Sequence, residues 1–457
     1  MEIVIKEISN FPYGKVEVKD NGFVIDTSVS KVLVHIQERV DTTFFKKSVE
    51  NTWEKISVLH CRDLEHHKIS LIGCEMKIKG LDSFIIKWQT VIYGDYKDTD
   101  EGLLVKKAVY TIESLYAGKN LSFYLPEADY QIDEECNICV SIKKKWENNR
   151  YVMQISFLPD EHMKVSLFYT VYMRLMEIYY LYLEFFPTIL EPRYTIDDGT
   201  ELLIFHRFSR IYSSSANITK YSYSIKIADN ILMGEFYKKW KMIRNKEKAV
   251  FNLFCFTARC EDYILETPTA TIIQCMEGYF RCHHGDILEK YGSDLTRQLI
   301  DSVKNSLNNS NEWIDLCNEN GIESPNIISR IEGLLGQLNS CSLRDILILG
   351  MEYNQYTKML FEYEHTHETE NKVSYFSIFL KKATGHRNWL SHMMTPERCF
   401  EGDENTFARD KLSVLFRLIL MQDIELPVDL DSLNKIINTI NKWYDNHQLN
   451  NRKKIKK

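Results

Sequence analysis

Through residue 160, apolar side chains come in short runs that alternate with polar ones or are rich in β-branched and aromatic types. The clearest runs are 22–26, 31–36, 69–79, 84–93, 138–144 and 151–157. Turn residues separate them, among them Asn21-Gly22, Gly80, Gly94-Asp95 and Asn148-Asn149. Period-two runs punctuated in this way predict an antiparallel sheet, sandwich or barrel. Residues 162–186 break the rhythm with a nearly continuous apolar stretch that reads as one buried helix. After Pro187 and Pro192, strands are expected again at 201–212 and 221–227.

From about residue 235 the period becomes three-four. Pro268, Pro325, Pro396 and Pro427 mark expected helix boundaries. Ser293 and Ser342 suit N-caps of helices at 295–307 and 343–361. Further amphipathic segments run over 371–394, 407–422 and 430–443. The expected fold class is therefore α+β. A β-rich, sandwich-like N-terminal domain (1–235) carries one buried helix and precedes an all-α bundle (236–457), with the boundary near 230–245. There is no internal repeat.

A length of 457 residues suits two or three domains, and 44% hydrophobic content can fill their cores. The net charge of −7 argues against a general nucleic-acid coat protein, but not against an enzyme with a local basic cleft. The basic run Arg452-Lys453-Lys454-Ile455-Lys456-Lys457 reads as a solvated, irregular end, or as an arm that attracts phosphate. The N-terminus lacks a signal-peptide pattern. Arg174, Glu177 and Glu184 interrupt the apolar stretch after 165, so no membrane association is expected. Eleven scattered cysteines suit reduced thiols and a cytoplasmic location.

The segment with candidate chemistry is Gly385-His386-Arg387-Asn388-Trp389-Leu390-Ser391-His392. Val373, Phe376, Leu380, Ala383, Leu390 and Met394 follow helical spacing, and Arg387 completes their series. A guanidinium on a buried stripe is costly unless it is paired or faces a cleft. His392 lies five residues on, about 140° round an ideal helix, so the two side chains of one copy need not converge. Copies from two facing helices could. Histidine can take a proton from a ribose 2′-hydroxyl or give one to the leaving oxygen near neutral pH. Arginine offers a permanent, planar charge to the phosphorane. The alternative is that Arg387 holds a helix end by a salt bridge and His392 is an ordinary polar residue. A second Arg-x-x-x-x-His match, Arg62 to His67, falls between strand-like runs and reads as chance.

This octapeptide, late in a helical domain, resembles the signature of the HEPN superfamily, in which a polar residue such as Asn388 commonly follows the arginine. The chain as a whole is similar to ApeA-type anti-phage defence proteins, most strongly over 370–425 and loosely before 230. That resemblance implies a metal-independent ribonuclease acting in abortive infection on RNA, with tRNA a candidate. Arg387 and His392 would be the catalytic pair and Asn388 would orient them, at a composite site in a homodimer or larger homo-oligomer. A phage-derived activator is a further implied partner. The competing expectation is a non-catalytic HEPN-like scaffold that binds RNA or protein, its function residing in the N-terminal domain.

Glu277 and Arg281, four apart, suit a helical ion pair or a supporting role that positions Arg387 or substrate, and His386 could face the same cleft. Cys136 and Cys139 form a lone Cys-x-x-Cys. Cys275, Cys282, His283 and His284 make a loose cluster whose adjacent members should splay apart on a helix. His66-His67 and His365 with His367 suit surface or loop positions. No metal and no cofactor is expected. No phosphate loop, serine elbow or His-Glu-x-x-His motif occurs, which argues against an NTPase, an esterase or a zinc protease.

Overall fold

A computed structural model describes residues 2–9, 16–17, 23–26, 31–35, 53–79, 83–99, 102–113, 115–117, 121–123, 127–134, 136–147, 150–184, 186, 189–206, 224–227, 233–259, 266–284, 293–338, 341–369, 372–392 and 399–455. The chain forms two units, Met1–Met242 and Ile243–Lys457. The first is β-rich and the second helical, as the change of period predicts.

The first unit is built on an antiparallel sheet. Its strands run in the order Ala128–Asp133, Asn137–Glu147, Arg150–Pro159, Lys107–Glu113, Ile189–Thr195, Glu201–His206, Thr90–Tyr93, Lys68–Ile78, Glu54–Asp63, Glu2–Ile8 and Val16–Glu17. Alternation sets which side is buried. In Lys68–Ile78, Cys74, Met76 and Ile78 are buried and the residues between them are not. The predicted strand over 84–93 is two strands, Ser83–Lys87 and Thr90–Tyr93. The break is at Trp88-Gln89, where the Gln89 side chain fills the space beside Gly73, whose φ is +63°. Pro192 lies inside Ile189–Thr195 rather than ending a segment. It is tolerated because pairing with Glu201–His206 starts only at Arg193, so its missing N–H leaves no gap. Residues 224–227, expected as strand, lie outside the sheet. There the Ile225 N–H donates to the Tyr182 carbonyl at 2.8 Å. Residues 207–212 and 221–223 lie outside the described residues.

Helix α1 (Val165–Leu183) accounts for the long apolar stretch. Its aromatic side chains pack on the sheet. Tyr172 meets Tyr110 edge-on at 5.2 Å, and Phe168 meets Phe157 at 6.4 Å. Its charges are paired within the unit: Arg174 with Glu134 at 2.5 Å, and Glu177 with the Trp240 indole N–H at 3.0 Å. Among the described residues, no helix is long and apolar enough to cross a membrane. Helix α2 (Met233–Lys246) brings Tyr237, Trp240 and Lys241 into this unit. The division between the two units falls at 242/243, inside that helix.

The Glu134 side chain is largely enclosed and is bonded by Arg174, Tyr237 and Lys241. Burial by itself would raise its carboxyl, but bonds from Lys241, Tyr237 and Arg174 outweigh this and hold it below the ordinary carboxylate range. A depressed folded pKa stabilises above the unfolded value of about 4.3, and that stability is lost as pH falls through the folded value. Denaturant titrations should show Glu134→Gln weakening the protein at pH 7. The gap to wild type should narrow below about pH 4.

In the second unit the helices are α3 (Lys248–Arg259), α4 (Glu266–His283), α5 (Ser293–Asn308), α6 (Asn311–Glu319), α7 (Ser324–Leu338), α8 (Leu343–Met351), α9 (Gln355–Leu360), α10 (Glu362–Thr366), α11 (Tyr375–His392), α12 (Gly402–Asp423) and α13 (Leu430–Ile455). Pro268 and Pro325 sit in the first turns of α4 and α7, where a missing N–H costs nothing. Pro427 lies between α12 and α13. Ser342 caps α8 in a reciprocal box with Asp345. The helix predicted over 343–361 is two, because Asn354 caps α9 with its side chain and the chain turns there. Helix α13 runs to Ile455, so the basic segment read as irregular is helical through that residue. Pro396 and residues 393–394 lie outside the described residues.

Helix α4 is central to this unit and contacts α3, α8, α11 and α12. Gly350 lets α8 approach it closely, since a β-carbon there would lie 3.0 Å from the Met276 methyl. Helix α12 is buried all round from Lys411 to Met421, as a core helix is.

Candidate active site on the α4–α11 seam

One face of α4 carries Ile273, Met276 and Phe280 into the core, and another presents Gln274, Glu277 and Arg281. The spacing of three and four places those polar side chains in a row. Gln274 donates to the Ser391 hydroxyl of α11 at 2.9 Å. One turn further along α4, the Glu277 carboxylate takes Arg387 Nη2 at 2.7 Å on one oxygen. Its other oxygen accepts from Arg281 Nε at 3.1 Å. Arg281 also donates to the Cys341 carbonyl at 3.2 Å, just before the Ser342 cap. Glu277 thus bonds two guanidinium groups at once, Arg281 four residues on along α4 and Arg387 on α11.

Arg387 is 21% exposed and Glu277 14%. Nη1 of Arg387 lies 3.3 Å from the Asn388 side-chain oxygen. The buried phase of α11 differs from the expected one. Phe379, Leu380, Ala383 and His386 are its buried positions, while Val373 is 43% exposed and lies before the helix. The stripe thus closes on His386, and Arg387 sits at its margin. His386 is fully buried, with its ring 5.8 Å from both Trp389 and Phe400, and does not share an open cleft with Arg387. His392 is the last residue of α11, and its side chain lies outside those described. On this seam the structure brings together Arg387, Asn388, Glu277 and Arg281.

The second Arg–His match is spent on local structure. Arg62 Nε donates to Tyr96, and His67 contacts Asp63 and Tyr93 around a tight turn. His365 and His367 are exposed and stack on Phe376 and Tyr363. Among the described residues the cysteines are free thiols. Cys139 is exposed and Cys136 half-buried.

A second polar cluster lies at the far end of α4. The expectation that His283 and His284 splay apart is corrected. Helix α4 ends at His283, the chain turns, and the two rings lie 4.9 Å apart. Asp423, at the end of α12, meets His284 Nε2 at 3.2 Å and accepts from Tyr279 and Tyr353, each at 2.5 Å. Burial would raise the Asp423 carboxyl, but bonds from His284, Tyr279 and Tyr353 hold it below its ordinary value. Burial and the Asp423 carboxylate push the Tyr279 phenol far up, so it remains a donor. Burial and then the neighbouring His284 push His283 down. The expected cysteines are elsewhere. Cys275 is buried beside the Val250 carbonyl and raised to about 12 by burial, and Cys282 is exposed. The signal missed in the sequence was Asp423 itself, an acid in the last turn of a helix, where the macrodipole disfavours one.

Compared with known proteins, the chain matches no family model, no curated protein and no solved structure.

Proposed function

We propose that this chain is a HEPN-type endoribonuclease that cleaves RNA without a catalytic metal and acts in anti-phage defence in the cytoplasm. The observation that carries the reading is Arg387 at the margin of the buried stripe of α11, partly exposed and bonded by Glu277, five residues before His392. A fixed guanidinium is what an anionic phosphorane requires, and a histidine can move the protons. Because Arg387 and His392 diverge by about 140° on one helix, the complete site is composite, formed by two copies of the chain. RNA, with tRNA a candidate, is the substrate, and a phage-derived activator releases the activity. Attack by the 2′-hydroxyl leaves a 2′,3′-cyclic phosphate.

A second reading draws on the same ion pair. A guanidinium bound to a carboxylate on the neighbouring helix also suits a clamp in a non-catalytic RNA- or protein-binding scaffold. Incubation of total cellular RNA without added divalent metal separates the two. Cleavage by wild type, lost in folded Arg387→Ala and His392→Ala and leaving cyclic-phosphate ends, supports the nuclease. Equal cleavage by all three sinks the site. If none cleaves, even with extract from infected cells, the scaffold reading stands.

A further inference from the structure

We propose that His283, His284 and Asp423 form a binding site for a zinc-class divalent cation at the converging C-terminal ends of α4 and α12. One ligand atom from each of the three lies within 4.8 Å of the others. Two imidazoles and a carboxylate are a borderline-metal donor set, and three protein ligands leave a position for water. Tetrahedral bonds of about 2.0–2.1 Å place ligand atoms roughly 3.4 Å apart. His284 Nε2 and the Asp423 oxygen already stand at 3.2 Å, so it is His283 that closes in.

Three further observations point to a cation. Tyr279 and Tyr353 both donate to Asp423, fixing the carboxylate as outer-shell partners of a metal ligand do. Two helices end here, at His283 and Asp423, and helix C-termini carry partial negative charge. A hydrogen-bonded network without metal accounts for His284, Asp423 and the two tyrosines, but gives His283 no part. Its Nδ1 is enclosed and has no hydrogen-bond partner among the described residues. The cation would take the place of the contacts His284 Nε2 makes with Asp423 and with the Tyr353 hydroxyl, at 3.1 Å, and the phenols would keep their bonds to Asp423. It would tie together the ends of two core helices. The site goes beyond the ribonuclease reading, and no step of RNA cleavage passes through it.

The test uses the full chain, stripped with a chelator and titrated with zinc ion alone against a chromophoric competitor, then with cobalt(II). One equivalent should bind per chain and raise the melting midpoint. The cobalt form should show d–d bands without a thiolate charge-transfer band, because the donors are nitrogen and oxygen. His283→Phe keeps the ring that stacks on Tyr279 and should weaken binding at least ~10-fold, as should Asp423→Asn. If His283→Phe fails to fold, His283→Gln is measured in the same way. No binding, undiminished binding in the folded His283 variant, or a thiolate band would overturn the proposal.

Discussion

If the chain is the proposed ribonuclease, Arg387→Ala should lower RNA cleavage by about 10²–10³-fold, the usual cost of deleting one donor aimed at developing charge. Glu277→Gln is the more informative change. The carboxylate holds Arg387 at 2.7 Å and Arg281 at 3.1 Å, so removing its charge frees both guanidinium groups. Displacement of a catalytic group by about 1 Å costs roughly 10²-fold, and the loss should fall on kcat more than on KM. Arg281→Gln should cost less, because Arg281 is 38% exposed and does not contact Arg387 through its own bonds. Single-turnover cleavage of one defined RNA checks all three. If Glu277→Gln cleaves like wild type while Arg387→Ala does not, Glu277 is only a helix clamp.

The other large effect concerns stability. Lys411 and Glu364 form an ion pair with both side chains fully buried, joining α12 to α10. The Lys411 ammonium also lies 4.5 Å from the Phe361 ring centre and 5.7 Å from that of Phe407. Burial pushes Lys411 down, and the Glu364 charge works against that shift. Glu364→Ala leaves an uncompensated charge in an apolar core and should cost about 3–5 kcal/mol. Replacing both partners, Glu364→Leu with Lys411→Met, should return stability close to wild type, because neither charge then needs desolvation. Urea unfolding followed by near-ultraviolet circular dichroism measures both. A single variant as stable as the double would show that the pair is not the stabilising element.

The α+β class and the order of its halves were legible because each rests on a local period. Alternation in 69–79 and 151–157 specifies strands, and the helical spacing of 407–422 specifies a helix, though read as amphipathic it gave no sign of being buried all round from Lys411 to Met421. Caps and breakers such as Ser342 and Pro325 are local in the same sense. The Arg387–His392 spacing, the Glu277–Arg281 pair and the oddness of a charge near an apolar stripe were legible too. What required the tertiary structure was every contact between distant segments. Helical period alone fixes a face only to within a residue, so it could not tell that His386, one position before Arg387, fills the core. Glu277 and Arg387 are 110 residues apart, and His284 and Asp423 are 139 apart. Spacing along the chain carries no information about such pairs. They are set by which helices pack on α4, which depends on burying its apolar face as a whole.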